Sequence, residues 1–221
     1  MNVLELFAGS RSIGKVCDKM DGVNVFSVDI EPFEKINLQV DIEQIKITDI
    51  PFKPAVIWAS IPCTTYSIAA ISHHRDMGKP KTDFAEKSDR LCLKVLELIK
   101  YFDCIYYIEN PRGYLHKMDF MKSLPRATIW YCQYGDFRAK PTMIFSNNVY
   151  NPMFNPDGWK PRPECHNGNN NCHHEAAPRG SKTGTQGLKG NYERSKIPEL
   201  LCREIIESTA NKLKLSQTIL L

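Results

Sequence analysis

No apolar run in this 221-residue chain approaches the length that a helix needs to cross a bilayer. Met1 is followed almost at once by Val3, Leu4 and Leu6, which leaves no room for a signal peptide, so a cytoplasmic protein without a membrane partner is expected. A strong excess of charge is also missing. The 29 Lys and Arg against 25 Asp and Glu leave +4, which permits a polyanionic partner without requiring one. In a reducing compartment the eight cysteines are not expected to pair. Cys17, Cys92 and Cys202 fall in helical patterns and Cys104 lies near a strand, so all four read as small buried hydrophobes. What is present is ordinary globular composition, 42% hydrophobic and 24% charged, in a chain long enough for one well-buried domain.

Apolar periodicity divides the first two thirds of the chain into alternating elements. Strands are expected at Val3 to Phe7, Val23 to Val28, Ala55 to Ala59 and Cys104 to Ile108, and helices at Ser12 to Met20 and Glu86 to Phe102. The second helix carries Leu91, Val95, Leu98, Ile99 and Phe102 on one face. Shorter strands at Thr128 to Cys132 and Thr142 to Phe145 suit an antiparallel sheet edge. The alternation predicts an α/β fold, a mainly parallel sheet with helices on both faces.

Three short motifs sit at strand ends in this scheme: Leu4-Glu-Leu-Phe-Ala-Gly-Ser10, Ser60-Ile61-Pro62-Cys63 and Ile108-Glu-Asn-Pro111. A cysteine on a proline-shaped turn at the carboxyl end of a strand is placed to be a nucleophile. A carboxyl group in a dry pocket can protonate or hydrogen-bond a ring nitrogen. Together they describe attack on C6 of cytosine, which pushes electron density onto C5 and readies it for methylation. Cys63 and Glu109 are the expected pair.

The order of these motifs resembles the DNA cytosine-5 methyltransferase family, over the chain to about Ser146 and again at Ile197-Pro198. The resemblance implies a Rossmann-like S-adenosylmethionine-dependent methyltransferase fold. It also implies that Phe7, Ala8, Gly9 and Ser10 pass close to the methionine part of S-adenosylmethionine. Asp29 would hold the ribose hydroxyls, Ile30 would lie against adenine, and Asp41 with Ile42 would meet the adenine amino group, with Pro62 shaping the wall beside Cys63. Asn110 and Arg112 would organise the Glu109 and Pro62 turns. Arg138, Lys140 and Thr142 stand where the family has a Gln and two Arg, and Arg138 and Lys140 would contact the cytosine carbonyl or the DNA backbone. The implied activity is methylation of C5 of cytosine in duplex DNA through a Cys-C6 adduct and a flipped base. An RNA methyltransferase of the same fold and a nucleic-acid-binding homologue without turnover remain alternatives.

Outside these motifs the chain divides into an expected catalytic domain, 1–146, a short target-recognition insert, 147–190, and a helix, 191–221, that returns to the catalytic domain and starts at Ile197-Pro198 with proline in its first turn. Between Ser67 and Ser88 the periodicity stops in a basic loop with His73, His74, Arg75, Lys79 and Lys81; the resemblance implies a mobile loop that folds over DNA, and a solvated surface loop explains the same charge. The insert is rich in Asn, Pro and Gly and is expected to lie outside the core. In it Cys165 and Cys172, with His173 or His174 and a distant Cys132, offer zinc ligands to a segment too poor in apolar residues to fold by burial. The spacing is not a common finger pattern, and a polar surface loop explains the same residues. The Gly-rich run Arg179 to Gly190, with Lys182 and Lys189, reads as a phosphate contact or a flexible linker.

Overall fold

Strand β1 (Asn2–Leu6) sends Val3 to one face of the main sheet and Leu4 and Leu6 to the other, and all three are fully buried. A strand that is apolar on both faces needs cover on both, and the computed structural model, which describes residues 1–175, 188 and 190–218, supplies it. The elements continue as α1 (Ser12–Cys17), β2 (Asn24–Asp29), β3 (Leu38–Gln39), β4 (Val56–Ser60), α2 (Ile71–His74), β5 (Arg75–Asp76), β6 (Lys79–Pro80), α3 (Asp83–Phe102), β7 (Ile105–Pro111), β8 (Arg126–Trp130), β9 (Pro141–Phe145), α4 (Asn191–Ser195) and α5 (Glu199–Thr218). The main sheet runs β3-β2-β1-β4-β7-β9-β8. Strands β3 to β7 in that order are parallel, and β9 is antiparallel to both its neighbours. The expected fold class is therefore found.

Helix α3 covers one face, packing Leu91, Cys92, Val95, Leu98 and Phe102 against Leu4, Leu6, Ile57, Ala59 and Ile108. Helices α1 and α5 cover the other, packing Ile13, Val16, Leu201, Ile205 and Ile206 against Val3, Val56, Trp58 and Tyr107. Helix α3 begins three residues before the expected start because the Thr82 hydroxyl accepts from the Ala85 N–H at 3.2 Å and caps it. Helix α1 stops at Cys17 where Met20 was expected, since the Lys19 and Met20 N–H groups turn to Val16 and Cys17 carbonyls in a tighter 3-10 turn. Pro198 sits one residue before α5, accepting at its carbonyl from Cys202 N–H.

Two expectations are corrected. The stretch after Cys63 is not all loop: it holds the α2 turn followed by the β5-β6 hairpin, and Arg75 in it is a buried anchor. Its guanidinium takes both oxygens of Asp89 at 2.6 and 3.0 Å, donates to the Thr65 carbonyl at 3.0 Å, and stacks over Tyr66 at 4.4 Å. His73, Lys79 and Lys81 stay exposed on its surface. The region after Asn147 is not wholly outside the core either. Trp159 is 2% exposed and meets Tyr107 edge-on at 6.4 Å, and buried Asn148 donates to the Tyr107 hydroxyl at 2.7 Å. The Gly-rich run, with Arg179, Lys182 and Lys189, lies outside the described residues apart from Leu188 and Gly190. Among the described residues no helix is long and apolar enough to cross a membrane.

Candidate active site

Parallel strands bring their carboxyl ends to one edge, and that edge collects the predicted residues. Phe7 to Ser10 follow β1, Asp29 ends β2, Pro62 and Cys63 follow β4, and Glu109 and Asn110 lie in the last residues of β7. Because β9 and β8 are joined at the same edge, the connection between them delivers Tyr131 and Lys140 there as well.

The β1–α1 turn is built from unusual backbone. Phe7, Gly9 and Arg11 have φ of 54°, 50° and 53°. The turn is held from beneath by Glu5, whose buried carboxylate accepts from Ile13 and Gly14 N–H at 3.1 Å each and from the Ser27 hydroxyl at 2.6 Å. Burial pushes the Glu5 carboxyl up, while Ser27, the backbone donors and Arg11 pull it back. Gly9 donates its N–H to Asp29 Oδ2 at 2.8 Å, and Glu31 N–H reaches Asp29 Oδ1 at 2.9 Å. A side chain at Gly9 would come within 3.0 Å of Ser195 Oγ on α4. A small cavity of about 80 Å³ opens beside the turn, lined by Gly9, Ser10, Lys15, Glu34 and Tyr192.

The other predicted cofactor residues are placed less uniformly. Ile30 is 54% exposed next to Asp29. Asp41 accepts from Glu43 N–H at 3.1 Å and pairs with Lys87 of α3 at 2.5 Å. Burial works to raise the Asp41 carboxyl, but Lys87 and the Glu43 amide hold it below its ordinary value. Ile42 is 2% exposed, a core residue packed under the sheet edge.

Cys63 is half-buried at the start of a 3-10 turn, Thr64–Tyr66. Burial raises its thiol above the ordinary value and the Glu109 charge raises it further, while Lys140 and Arg194 oppose the shift. Glu109 is 6% exposed, pairs in register with Ser60 of β4, and accepts from the Tyr131 hydroxyl at 3.0 Å. Burial and the Glu109 charge keep that phenol protonated, so it remains a donor. Asn110 donates to the Ile61 carbonyl at 2.8 Å and thereby ties the glutamate strand to the cysteine turn. Its Oδ1 is buried without a hydrogen-bond partner among the described residues. Farther along, Gly113 passes so close that a Cβ would stand 2.5 Å from the Tyr66 carbonyl, which fixes the two loops together.

Lys140 lies over the Tyr131 ring at 4.5 Å with its backbone at φ 27°. Burial pulls its ammonium below the ordinary value, and Glu109 and Cys63 act the other way. Arg138 is turned aside: it is 3% exposed, paired with Asp136, and donates to the Lys196 carbonyl at 3.3 Å. It braces the loop and is not grouped with Cys63. Thr142, also fully buried, donates to the Lys140 carbonyl at 3.1 Å. Arg112 stacks over Trp130 at 5.4 Å.

Residues 1–123, more than half of the chain, match the C-5 cytosine-specific DNA methylase family. The chain belongs to that family. A Frog virus 3 protein named "Probable DNA (cytosine-5)-methyltransferase" is 29% identical to this family member over 145 residues, 62% of this chain. The chain spans 65% of the length of that relative. Among solved structures, an Entamoeba histolytica methyltransferase superimposes with a TM-score of 0.55 at 14% identity, over 96% of this chain and 98% of that one. S. pombe Dnmt2 methyltransferase gives a TM-score of 0.48 at 14% identity, over 66% of this chain and 49% of that one. The S-adenosylmethionine-dependent methyltransferase fold is thus common to this family member and the Entamoeba protein.

Some participants left no local signal in the sequence. Tyr131 is an aromatic that opens the 3-10 turn just past β8, and only the pairing of β9 between β7 and β8 turns its hydroxyl toward Glu109. Helix α4 falls within the expected returning segment, yet the Arg194 charge in it opposes the rise of the Cys63 thiol and its Ser195 covers Gly9.

A second cluster lies beside this edge. Cys132, in the turn Tyr131–Tyr134, meets Cys165, Cys172 and His174, with one sulfur or nitrogen of each within 4.8 Å of all the others. Of the two expected histidines only His174 joins the group. His173 faces the Asp136 carbonyl at 3.1 Å.

Proposed function

We propose that this chain methylates C5 of cytosine in DNA, with Cys63 as the nucleophile and Glu109 as the group that acts on N3. One observation carries the reading. Cys63 and Glu109 leave neighbouring parallel strands at a single edge, with Ser60 and Glu109 in register and Asn110 tying the two turns together.

The residues of the β1–α1 turn suit S-adenosylmethionine. Gly9 has positive φ beside a small cavity, two of roughly four acceptor positions on the Asp29 carboxylate are taken by N–H groups, and Ile30 is exposed next to it. Held there by Phe7 to Ser10, Asp29 and Ile30, the cofactor would supply an electrophilic methyl group to C5. The protein's own part is the preparation of the ring. The Cys63 thiolate forms a bond to C6, and the C5–C6 π electrons move toward C5. Glu109, oriented by Tyr131, holds the N3 side, and Lys140 places positive charge near both groups. Once C5 carries the methyl group, its proton leaves to water or a basic group, the sulfur departs, and the C5–C6 double bond returns. The base has to leave the duplex first, which costs a few kcal/mol. Labelled methyl incorporation into duplex DNA, with tRNA in parallel, tests the reading. Incorporation into neither, or into tRNA alone, would count against it.

A pH dependence follows from the raised thiol. The nucleophile is the thiolate, so below its pKa the rate of adduct formation should climb about tenfold per pH unit. Because the Glu109 charge is one cause of the shift, Glu109→Gln should lower the overall rate yet move the inflection to lower pH. Single-turnover rates across the neutral to alkaline range check this, and an unmoved inflection in the variant would refute the coupling.

Asp29→Ala should weaken cofactor binding by about 1.5–3 kcal/mol, the worth of hydrogen bonds to a charged acceptor. Asp29→Asn keeps an acceptor for Gly9 N–H and should lose less. Calorimetric titration of the folded variants decides.

A further inference from the structure

The Cys132, Cys165, Cys172 and His174 cluster takes no part in the chemistry proposed above. It draws on two places far apart in the chain. Cys132 lies just past β8 on the methyltransferase sheet, and the other three come from the segment after Pro163. Three thiols and an imidazole form a soft, four-donor set of the kind that structural zinc sites use. With Zn–S near 2.3 Å and Zn–N near 2.0 Å, a tetrahedron has donor–donor edges of about 3.5–3.8 Å. The Cys165 sulfur stands 3.9 Å from His174 Nδ1, and no pair of donors exceeds 4.8 Å, so only small rotations separate the arrangement from a coordination shell.

The surroundings point the same way. The apolar contact under the segment consists of Trp130, Cys132, Ala139 and Cys165 with Cys172 at its margin, too little to order a stretch so rich in Asn. The segment is nevertheless folded back tightly. Glu175 N–H reaches the Phe137 carbonyl at 2.8 Å, and His173 reaches Asp136 at 3.1 Å. The donors converge where the loop meets the connection from Tyr131 to Lys140.

We propose that Cys132, Cys165, Cys172 and His174 bind one structural zinc ion, which clamps the 163–175 segment onto the connection that carries Tyr131 and Lys140 to the active edge. Four protein donors close the coordination shell, so the ion holds structure and does not activate water. Binding converts the three thiols to thiolates and releases their protons. The site stands whether or not the chain methylates cytosine.

The test uses the full chain purified under reducing conditions without chelator. Elemental analysis should find one zinc per chain, and cobalt exchange should give thiolate-to-cobalt charge-transfer absorption with the strong visible bands of a tetrahedral site. Cys132→Ser and Cys172→Ser should lose the metal, while Cys104→Ser and His173→Ala should keep it in full. His174→Cys should retain zinc where His174→Ala does not, which separates ligation from misfolding. On chelation, amide exchange in peptides covering 160–175 should accelerate at least about tenfold, with β1, β4 and β7 unchanged. The assignment is overturned if the wild type stays metal-free after reconstitution with zinc, if Cys132→Ser retains the full metal content, if the bound metal is iron, or if thiol titration of the denatured wild type shows two of these cysteines joined in a disulfide.

Discussion

Cys63→Ser should abolish covalent capture on DNA containing 5-fluorocytosine and reduce methyl transfer by about 10⁴-fold or more, the scale seen when a covalent nucleophile is removed. Fluorine at C5 cannot leave as a proton does, so the wild-type adduct is trapped after methylation. Serine has nearly the same shape but far weaker nucleophilicity, and the turn that holds it is fixed by Asn110 and the Tyr66–Gly113 contact, neither of which touches the sulfur. The variant should therefore fold and bind cofactor as before. Denaturing gels of protein with the fluorinated duplex read the outcome, and a persistent adduct in the serine variant would remove Cys63 from its role.

Arg75→Met should destabilise the protein by about 3–5 kcal/mol, the cost of breaking a buried ion pair from one side. The Arg75 side chain is fully buried and that of Asp89 is 16% exposed, and the guanidinium also serves the Thr65 and Gly78 carbonyls. Among the described residues, its loss leaves Asp89 with the Tyr66 hydroxyl alone at 2.7 Å. The double variant Arg75→Met, Asp89→Leu should recover part of the loss, because no charge is then left unpaired in the interior. Denaturant midpoints for the single and double variants measure both effects. A midpoint within error of wild type for Arg75→Met would mean that the hairpin after the nucleophile is held by something else.

Arg75 also marks the limit of what the sequence discloses. Among His73, His74, Lys79 and Lys81 it reads as one more cation on a loop, since nothing local shows that Asp89, nearly two turns into α3, lies within reach. Strand identity was legible because each central strand is apolar on both faces. The caps were not: the Thr82 cap moved the start of α3 by three residues, and the carboxylate that supports α1 comes from Glu5 in a different element. That Cys63, Glu109 and Asp29 stand at strand ends was legible because they lie in short contiguous motifs. Tyr131, Arg194 and the choice of His174 over His173 depend on contacts between distant segments, which no spacing rule encodes. Arg138 shows the converse error, a cation at a motif position that the fold spends on Asp136.

Helix α5 has a consequence for how the chain is made. It packs Leu201, Ile205 and Ile206 on Val3, Ile13 and Val16, and the loop before it donates Ile197 N–H to the Ser12 hydroxyl at 3.0 Å. A ribosome thus releases the first strand and helix well before their cover exists. Strand β1 and the turn beside Gly9 have to wait until α5 has been made, a long-range closure that slows folding and leaves apolar surface open to aggregation. Nascent chains halted before Glu199 should accordingly bind holdase chaperones through residues 3–16, and release from them should coincide with the emergence of α5.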